Sequence, residues 1–156
     1  MSASARQCWL AREGSLKELI ARVLVVEDFA AWRHFICSTI RKEPGLTIVG
    51  QVADGEEAVT AAEQLQPDLI LLDIGLPTLN GLAAAKRILE KSPNSRILFC
   101  TENGSSDVVE KAMLMRGSGY VIKRDAGREL LPAIISVLRG KQFLSSTVTR
   151  LVKAGT

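Results

Sequence analysis

Aromatic residues are scarce in this chain of 156: two Trp, one Tyr and four Phe, 4% of the sequence. So few rings leave the core to aliphatic side chains, and no groove of interleaved aromatic and basic residues is on offer to nucleic acid. Histidine occurs once, at His34, where an ordinary surface or boundary position on the first helix accounts for it better than a catalytic or phosphorelay role. Cys8, Cys37 and Cys100 are odd in number and far apart, with no spacing that suits a zinc site or a redox CxxC. They read as free thiols of a reducing compartment. No apolar run approaches the roughly 20 residues of a membrane span, so no membrane role is expected. The stretch after Arg6 is broken by Arg12 and Glu13, which makes a poor signal peptide, and the expected location is the cytoplasm. Neither a Walker A sequence nor a GxGxxG pattern follows any strand-like run. A strong charge of one sign is lacking too. The net charge is +3, yet residues 22–139 hold 14 Lys+Arg against 15 Asp+Glu, and the surplus lies mostly in Lys141, Arg150 and Lys153. Three tail cations do not make a basic stripe.

What the chain has is alternation. Its 47% hydrophobic and 24% charged content fits one globular domain with a sizeable core. Arg22–Val26 is a short β-branched run. Trp32, Phe35, Ile36, Thr39 and Ile40 then follow helical spacing up to a stop at Pro44-Gly45. Leu46–Val52 reads as a second strand, and Asp54-Gly55 opens a helix with Ala58, Ala61, Ala62 and Leu65 on one face. Leu69–Leu72, opened by Pro67-Asp68, is continuously apolar, the mark of a strand buried on both faces. Asn80-Gly81 starts a helix with Leu82, Ala85, Ile88 and Leu89 inward, and Arg96–Cys100 is a fourth strand. Ser106-Asp107 can cap a helix through Met115, which Gly117-Ser118-Gly119 breaks before a fifth strand, Tyr120–Ile122. Leu130, Ile134, Val137 and Leu138 mark the last helix, ending near Gly140. Five strand–helix pairs in strict alternation predict an α/β fold, a parallel sheet with helices on both faces. The predicted domain spans 22–140. Residues 1–21 form an N-terminal extension in which Ser15-Leu16-Lys17-Glu18 fits a capping box. Residues 141–156 form a linker or tail, with Leu144, Val148, Leu151 and Val152 near helical spacing.

In a parallel sheet every strand delivers its last residue to the same edge, where open α/β sheets build ligand sites. Glu27-Asp28, Asp73, Thr101 and Lys123 all stand at such strand ends. Alone, Asp28 is a helix cap, Lys123 a solvated charge and Thr101 turn chemistry; together they form a constellation. Carboxylates brought close repel, so a divalent cation is their natural partner, and oxygen ligands without convergent His or Cys suit Mg2+ or Mn2+. A carboxylate beside such an ion can attack phosphorus to give an aspartyl phosphate. Lys123 and Thr101 supply the cation and hydroxyl that its dianionic group needs.

The runs Val-Leu-Val-Val-Glu-Asp (23–28), Leu-Ile-Leu-Leu-Asp-Ile-Gly-Leu-Pro-Thr-Leu-Asn-Gly (69–81) and Gly-Tyr-Val-Ile-Lys (119–123), with Thr101, resemble a two-component response regulator receiver domain. The likeness covers about 22–140. It implies a flavodoxin-like (βα)5 sandwich with strand order 2-1-3-4-5, and it makes Asp73 the acceptor of phosphate from a sensor histidine kinase or phosphotransfer protein. Glu27, Asp28, Asp73 and the backbone carbonyl of Gly75 would bind Mg2+. Thr101 would be the switch hydroxyl, Lys123 the partner of the phosphoryl group, and Tyr120 an aromatic that turns inward on activation, against a plainer role as a half-buried strand residue. Pro77 and Gly81 match the loop after the third strand. Such a domain turns over no small substrate; it assists only its own phosphorylation and dephosphorylation. Homodimerisation on phosphorylation is a further option in this family, and DNA would be reached only through an output domain beyond these residues.

Two departures stand out. Lys123 is followed by Arg124, where many receivers place a cis-prolyl bond, and Gly-Tyr-Val-Ile-Lys-Arg-Asp (119–125) is instead similar to receivers of LuxR-type and NarL-type regulators. That likeness continues through Gly140-Lys141-Gln142-Phe143-Leu144-Ser145, and the chain reads either as a receiver cut from a longer regulator or as a single-domain receiver. Glu102 follows Thr101 where a small residue is common; its carboxylate could hinder a phosphodonor, orient water or face solvent. An alternative is a degenerate receiver serving as a phosphorylation-independent interaction module, against which the retained acidic pair, Asp73, Thr101 and Lys123 weigh. A haloacid-dehalogenase-like phosphatase would need a second Asp two residues after Asp73, and that position is Gly75.

Overall fold

The computed structural model describes residues 19–102, 104–115 and 118–149. Its elements run β1 (Ala21–Val26), α1 (Ala30–Arg41), β2 (Leu46–Val52), α2 (Gly55–Leu65), β3 (Leu69–Leu72), α3 (Gly81–Lys91), β4 (Arg96–Thr101), α4 (Ser106–Met113), β5 (Ser118–Ile122), a 3-10 turn over Lys123–Asp125, and α5 (Ala126–Leu138). The five strands form one parallel sheet in the order β2-β1-β3-β4-β5. The fold is the flavodoxin-like α/β sandwich.

Continuous apolar strands make sense once both faces are considered, because side chains alternate across the sheet. Val23, Val25, Leu69, Leu71 and Leu98 point to one face, where Ile36, Cys37 and Ile40 of α1 and Leu130, Ile134 and Val137 of α5 cover them. Leu24, Val26, Ile70, Leu72 and Phe99 point to the other, under α2, α3 and α4. Those three helices meet the sheet largely through Ala58, Ala62, Ala84, Ala85 and Ala112, all fully buried. Small residues let the helix axes approach closely, so a chain with few rings still packs densely.

Helix starts follow the local chemistry. Asp54 caps α2 by accepting from the Glu57 amide at 2.8 Å, and Asn80 caps α3 by accepting from the Ala83 amide at 3.0 Å. β1 and β4 are each one residue longer than the sequence-based expectation, starting at Ala21 and ending at Thr101 respectively, and three boundaries near α4 and β5 also differ. The N-cap of α4 is Ser105 rather than Ser106, and α4 ends at Met113 rather than Met115. β5 begins at Ser118, so Gly119 lies inside a strand rather than in a helix break. A Cβ on Gly119 would sit 2.7 Å from Val137 Cγ2, so the glycine is there for close packing of α5. On α1 the buried positions are Ile36, Cys37 and Ile40, while Trp32, Phe35 and Thr39 lie at the rim.

Past Gly140 the chain does not leave the domain. Leu144 makes a parallel bridge with Tyr120, and residues 146–149 are helical. Of the four tail positions with helical spacing, Leu144 is therefore extended and Val148 is helical; Leu151 and Val152 lie outside the described residues, as do Cys8 and the capping box at 15–18. Cys37 and Cys100 are buried free thiols, and His34 is exposed. Among the described residues no helix is long and apolar enough to cross a membrane.

Candidate functional site

Strand register decides which charges meet. Val26 of β1 pairs with Leu72 of β3, Leu72 with Phe99 of β4, and Thr101 with Ile122 of β5. The residues just beyond, Glu27, Asp73 and Lys123, emerge together at the carboxyl edge beside Thr101. Backbone bonds hold the exits: the Glu27 amide donates to Val52 O at 3.1 Å and the Asp73 amide to Val26 O at 3.2 Å.

Lys123 Nζ lies 2.6 Å from Glu27 Oε1 and 3.1 Å from Asp73 Oδ2, and all three side chains are nearly or fully buried. Asp73 Oδ1 accepts from the Gly75 amide at 3.2 Å. Glu27 Oε2 accepts from the Phe29 amide at 3.1 Å. Its Oε1 is close to Lys123 but has no donor aligned on it, so the contact is an ion pair without a directed hydrogen bond. Burial raises the Glu27 pKa to about 7; Lys123 and the Phe29 amide pull it down, and the Asp73 charge adds to the rise. Burial disfavours the Lys123 ammonium as well, yet Glu27 and Asp73 outweigh it and leave its pKa above the ordinary lysine value.

Carboxylate oxygens of Glu27, Asp28 and Asp73 all lie within 4.8 Å of one another, with Asp28 exposed to solvent. One ammonium does not balance three carboxylates, and Glu27 Oε1 is left with an unfilled acceptor position. An all-oxygen donor set with more negative charge than Lys123 balances fits a hard divalent cation such as Mg2+. The group opens into a cleft of about 390 Å3, lined also by Phe29, Gly75, Thr101 and Glu102. Glu102 is exposed at its lip. Beyond Glu102 and Lys123 a second recess, of about 700 Å3, is walled by Trp32, Ser105, Ser106 and Arg124.

Three positions near the site were not singled out by sequence reasoning. Lys123 Nζ sits over the Trp32 ring, 5.4 Å from its centroid, where the ring's negative face favours the ammonium. Arg33 Nη1 donates to Glu27 O at 2.8 Å and steadies the β1–α1 turn. Helical spacing placed Trp32 on an inward face but carried no signal for which strand end lay beneath it. Asp125, two residues after Lys123, accepts from Ser145 at 2.8 Å. Tyr120 is fully buried rather than half-buried, its ring centroid 6.2 Å from that of Phe99. Burial, with the Asp73 charge adding to it, raises its phenol pKa. No cis bond follows Lys123; the chain enters the 3-10 turn directly.

The family profile of the response regulator receiver domain matches residues 23–135. This chain belongs to the response regulator receiver family. Among receivers it is similar to the nitrate/nitrite response regulator protein NarL of Escherichia coli (strain K12), 36% identical over 136 residues, which are 86% of this chain and 62% of NarL. It is also similar to a protein-glutamate methylesterase/protein-glutamine glutaminase of Maricaulis maris, 37% identical over 122 residues, 76% of this chain and 30% of that protein. The chain thus spans about three fifths of the first relative and under a third of the second. The crystal structure of a two-component response regulator of the LuxR family from Aurantimonas sp. SI85-9A1 superposes with a TM-score of 0.82 at 28% identity, covering 87% of this chain and 97% of that one. The fold and the family agree: this is a receiver domain of a two-component system.

Proposed function

We propose that this receiver is a phosphorylation-controlled switch in which Asp73 takes a phosphoryl group from a sensor histidine kinase or phosphotransfer protein. An Asp73 carboxylate oxygen attacks phosphorus of the phosphohistidine, a P–O bond forms, the P–N bond breaks, and its electron pair returns to the imidazole. Glu27, Asp28, Asp73 and the Gly75 carbonyl are the proposed holders of Mg2+ or Mn2+, which when bound offsets charge on the transferring group. Lys123 pairs with the new phosphoryl oxygens, Thr101 moves to donate its hydroxyl to them, and Tyr120 follows as the aromatic switch. The surface of α4, β5 and α5 then changes its affinity for partners, with a homodimer as one outcome. The proposed receiver unit is 22–140, working in the cytoplasm; DNA would be contacted by an output domain, not by these residues, and no small substrate is turned over.

The observation that carries this reading is a single one. Asp73 stands 3.1 Å from a buried ammonium and within 4.8 Å of two further carboxylates, at the mouth of one cleft with Thr101. Incubation with acetyl phosphate and Mg2+ followed by intact-mass measurement tests it. The wild type should gain one phosphoryl group, and Asp73→Asn or an EDTA-treated sample should gain none. An equal gain on Asp73→Asn would sink the proposal.

A further inference from the structure

The segment after α5 grips three elements in eight residues. Gln142 Nε2 donates to Met113 O at 3.1 Å, at the end of α4. The Tyr120 amide donates to Phe143 O, and the Ser145 amide to Tyr120 O, both at 2.8 Å, so 143–145 run alongside the otherwise open edge of β5. Ser145 Oγ lies 2.8 Å from Asp125 Oδ2 and 2.8 Å from Glu129 Oε2, and Ser146 Oγ donates to Glu129 Oε1 at 2.6 Å, on the first turn of α5. Val148 is fully buried in the cluster that holds Tyr120, with Leu144 packed against it. The segment therefore covers the α4–β5–α5 face itself.

Two of its anchors sit on the parts of the chain nearest the acidic site. Asp125, which holds Ser145, and Lys123, which pairs with Asp73, are the two ends of one three-residue 3-10 turn. The other anchor is the backbone of Tyr120. Ser145 has one hydroxyl proton for two carboxylates, and Thr147 and Ser146 add further bonds to Asp125 and Glu129. Asp125 and Glu129 between them take most of the side-chain bonds of the segment, so a displacement of the turn that carries Asp125 loosens several of them at once.

We propose that residues 142–149 are an intramolecular strap that occupies the α4–β5–α5 face while Asp73 carries its free carboxylate, and that phosphorylation of Asp73 releases it. The proposal rests on the phosphoacceptor reading above. When Lys123 follows the phosphoryl oxygens, its turn carries Asp125 away from Ser145; the Tyr120–Ser145 bridge then opens and exposes the β5 edge to an incoming extended segment.

The experiment is amide hydrogen exchange of the whole chain at Tyr120 and Ser145, before and after acetyl phosphate with Mg2+, with intact mass read on the same samples. Protection at both amides should fall by about fivefold or more, the low end of measured allosteric couplings. Linkage is reciprocal, so Ser145→Ala and, as a milder surface variant, Gln142→Ala should bind the phosphoryl mimic beryllofluoride more tightly by a matching factor. A protein that gains the phosphoryl group with unchanged protection overturns the strap and leaves the receiver reading standing. Beryllofluoride affinity unchanged in both variants also overturns the strap. No mass gain overturns both proposals.

Discussion

At the scale of single residues, burial sets the behaviour of Glu27 more than any neighbour does. Its pKa moves from 4.5 up to about 7 because the charged form loses water and finds only part of its compensation in Lys123. The folded state then holds a proton that the unfolded state has released. This stabilisation is complete below about pH 4.5 and is lost as pH rises through about 7. Urea midpoints of metal-free protein should fall across that window, and Glu27→Gln should flatten the slope. In the proposed site protons and a divalent cation would compete for the Glu27 carboxylate, so Mg2+ affinity should climb with pH until Glu27 is ionised; titration calorimetry at several pH values reads it. A pH-independent affinity would remove Glu27 from the ligand set. The strand-end charges were legible in sequence because each closes an apolar run. The burial of Glu27 and the ring of Trp32 above Lys123 were not, since both depend on which element lies over which.

At the scale of elements, the loop from Asp73 to α3 is a tight joint. A Cβ on Gly81 would fall against the Asp73 carbonyl oxygen and 2.6 Å from Ile74 Cα, so the start of α3 touches the backbone of Asp73. The Gly81 amide also donates to Ile74 O at 2.8 Å. Gly81→Ala should cost roughly 1–3 kcal/mol, as overpacking does, and should slow phosphorylation because the displaced backbone is that of Asp73. Gly127→Ala is its control. That site, inside α5 with nothing within 4 Å of an added Cβ, should gain up to about 1 kcal/mol of helix propensity. Denaturant midpoints and phosphorylation rates of the pair separate local strain from glycine content. Among the described residues, sequence patterns located the five strands and the helices α1 to α5 because hydrophobic period and turn residues are local. They missed the start of β5, where Gly119 looks like a breaker until Val137 of α5 is seen against it.

At the scale of the molecule, stability lies in two clusters divided by the sheet, and β3 at its centre feeds both. Leu71, 1% exposed, should lose roughly 2–5 kcal/mol on change to Ala, since a rigid aliphatic core does not collapse around the gap. Thermal or urea unfolding measures it, and a loss below about 1 kcal/mol would show the two faces to be far less tightly packed than here.

The chain by itself determined its elements, its aliphatic core, the helix caps at Asp54 and Asn80, and the polar or charged residue closing β1, β3, β4 and β5. These follow from short-range order: side-chain period, turn propensity and the abrupt end of apolar runs. The strand order was read from family likeness, because alternation alone is compatible with several parallel arrangements. Only the folded sheet decided that Glu27, Asp73 and Lys123 meet within ion-pair distance, that Tyr120 is wholly enclosed, and that 142–149 cover β5. Those outcomes depend on contacts between residues tens of positions apart, and pairing at that range is selected by packing of the whole domain, not by any local pattern.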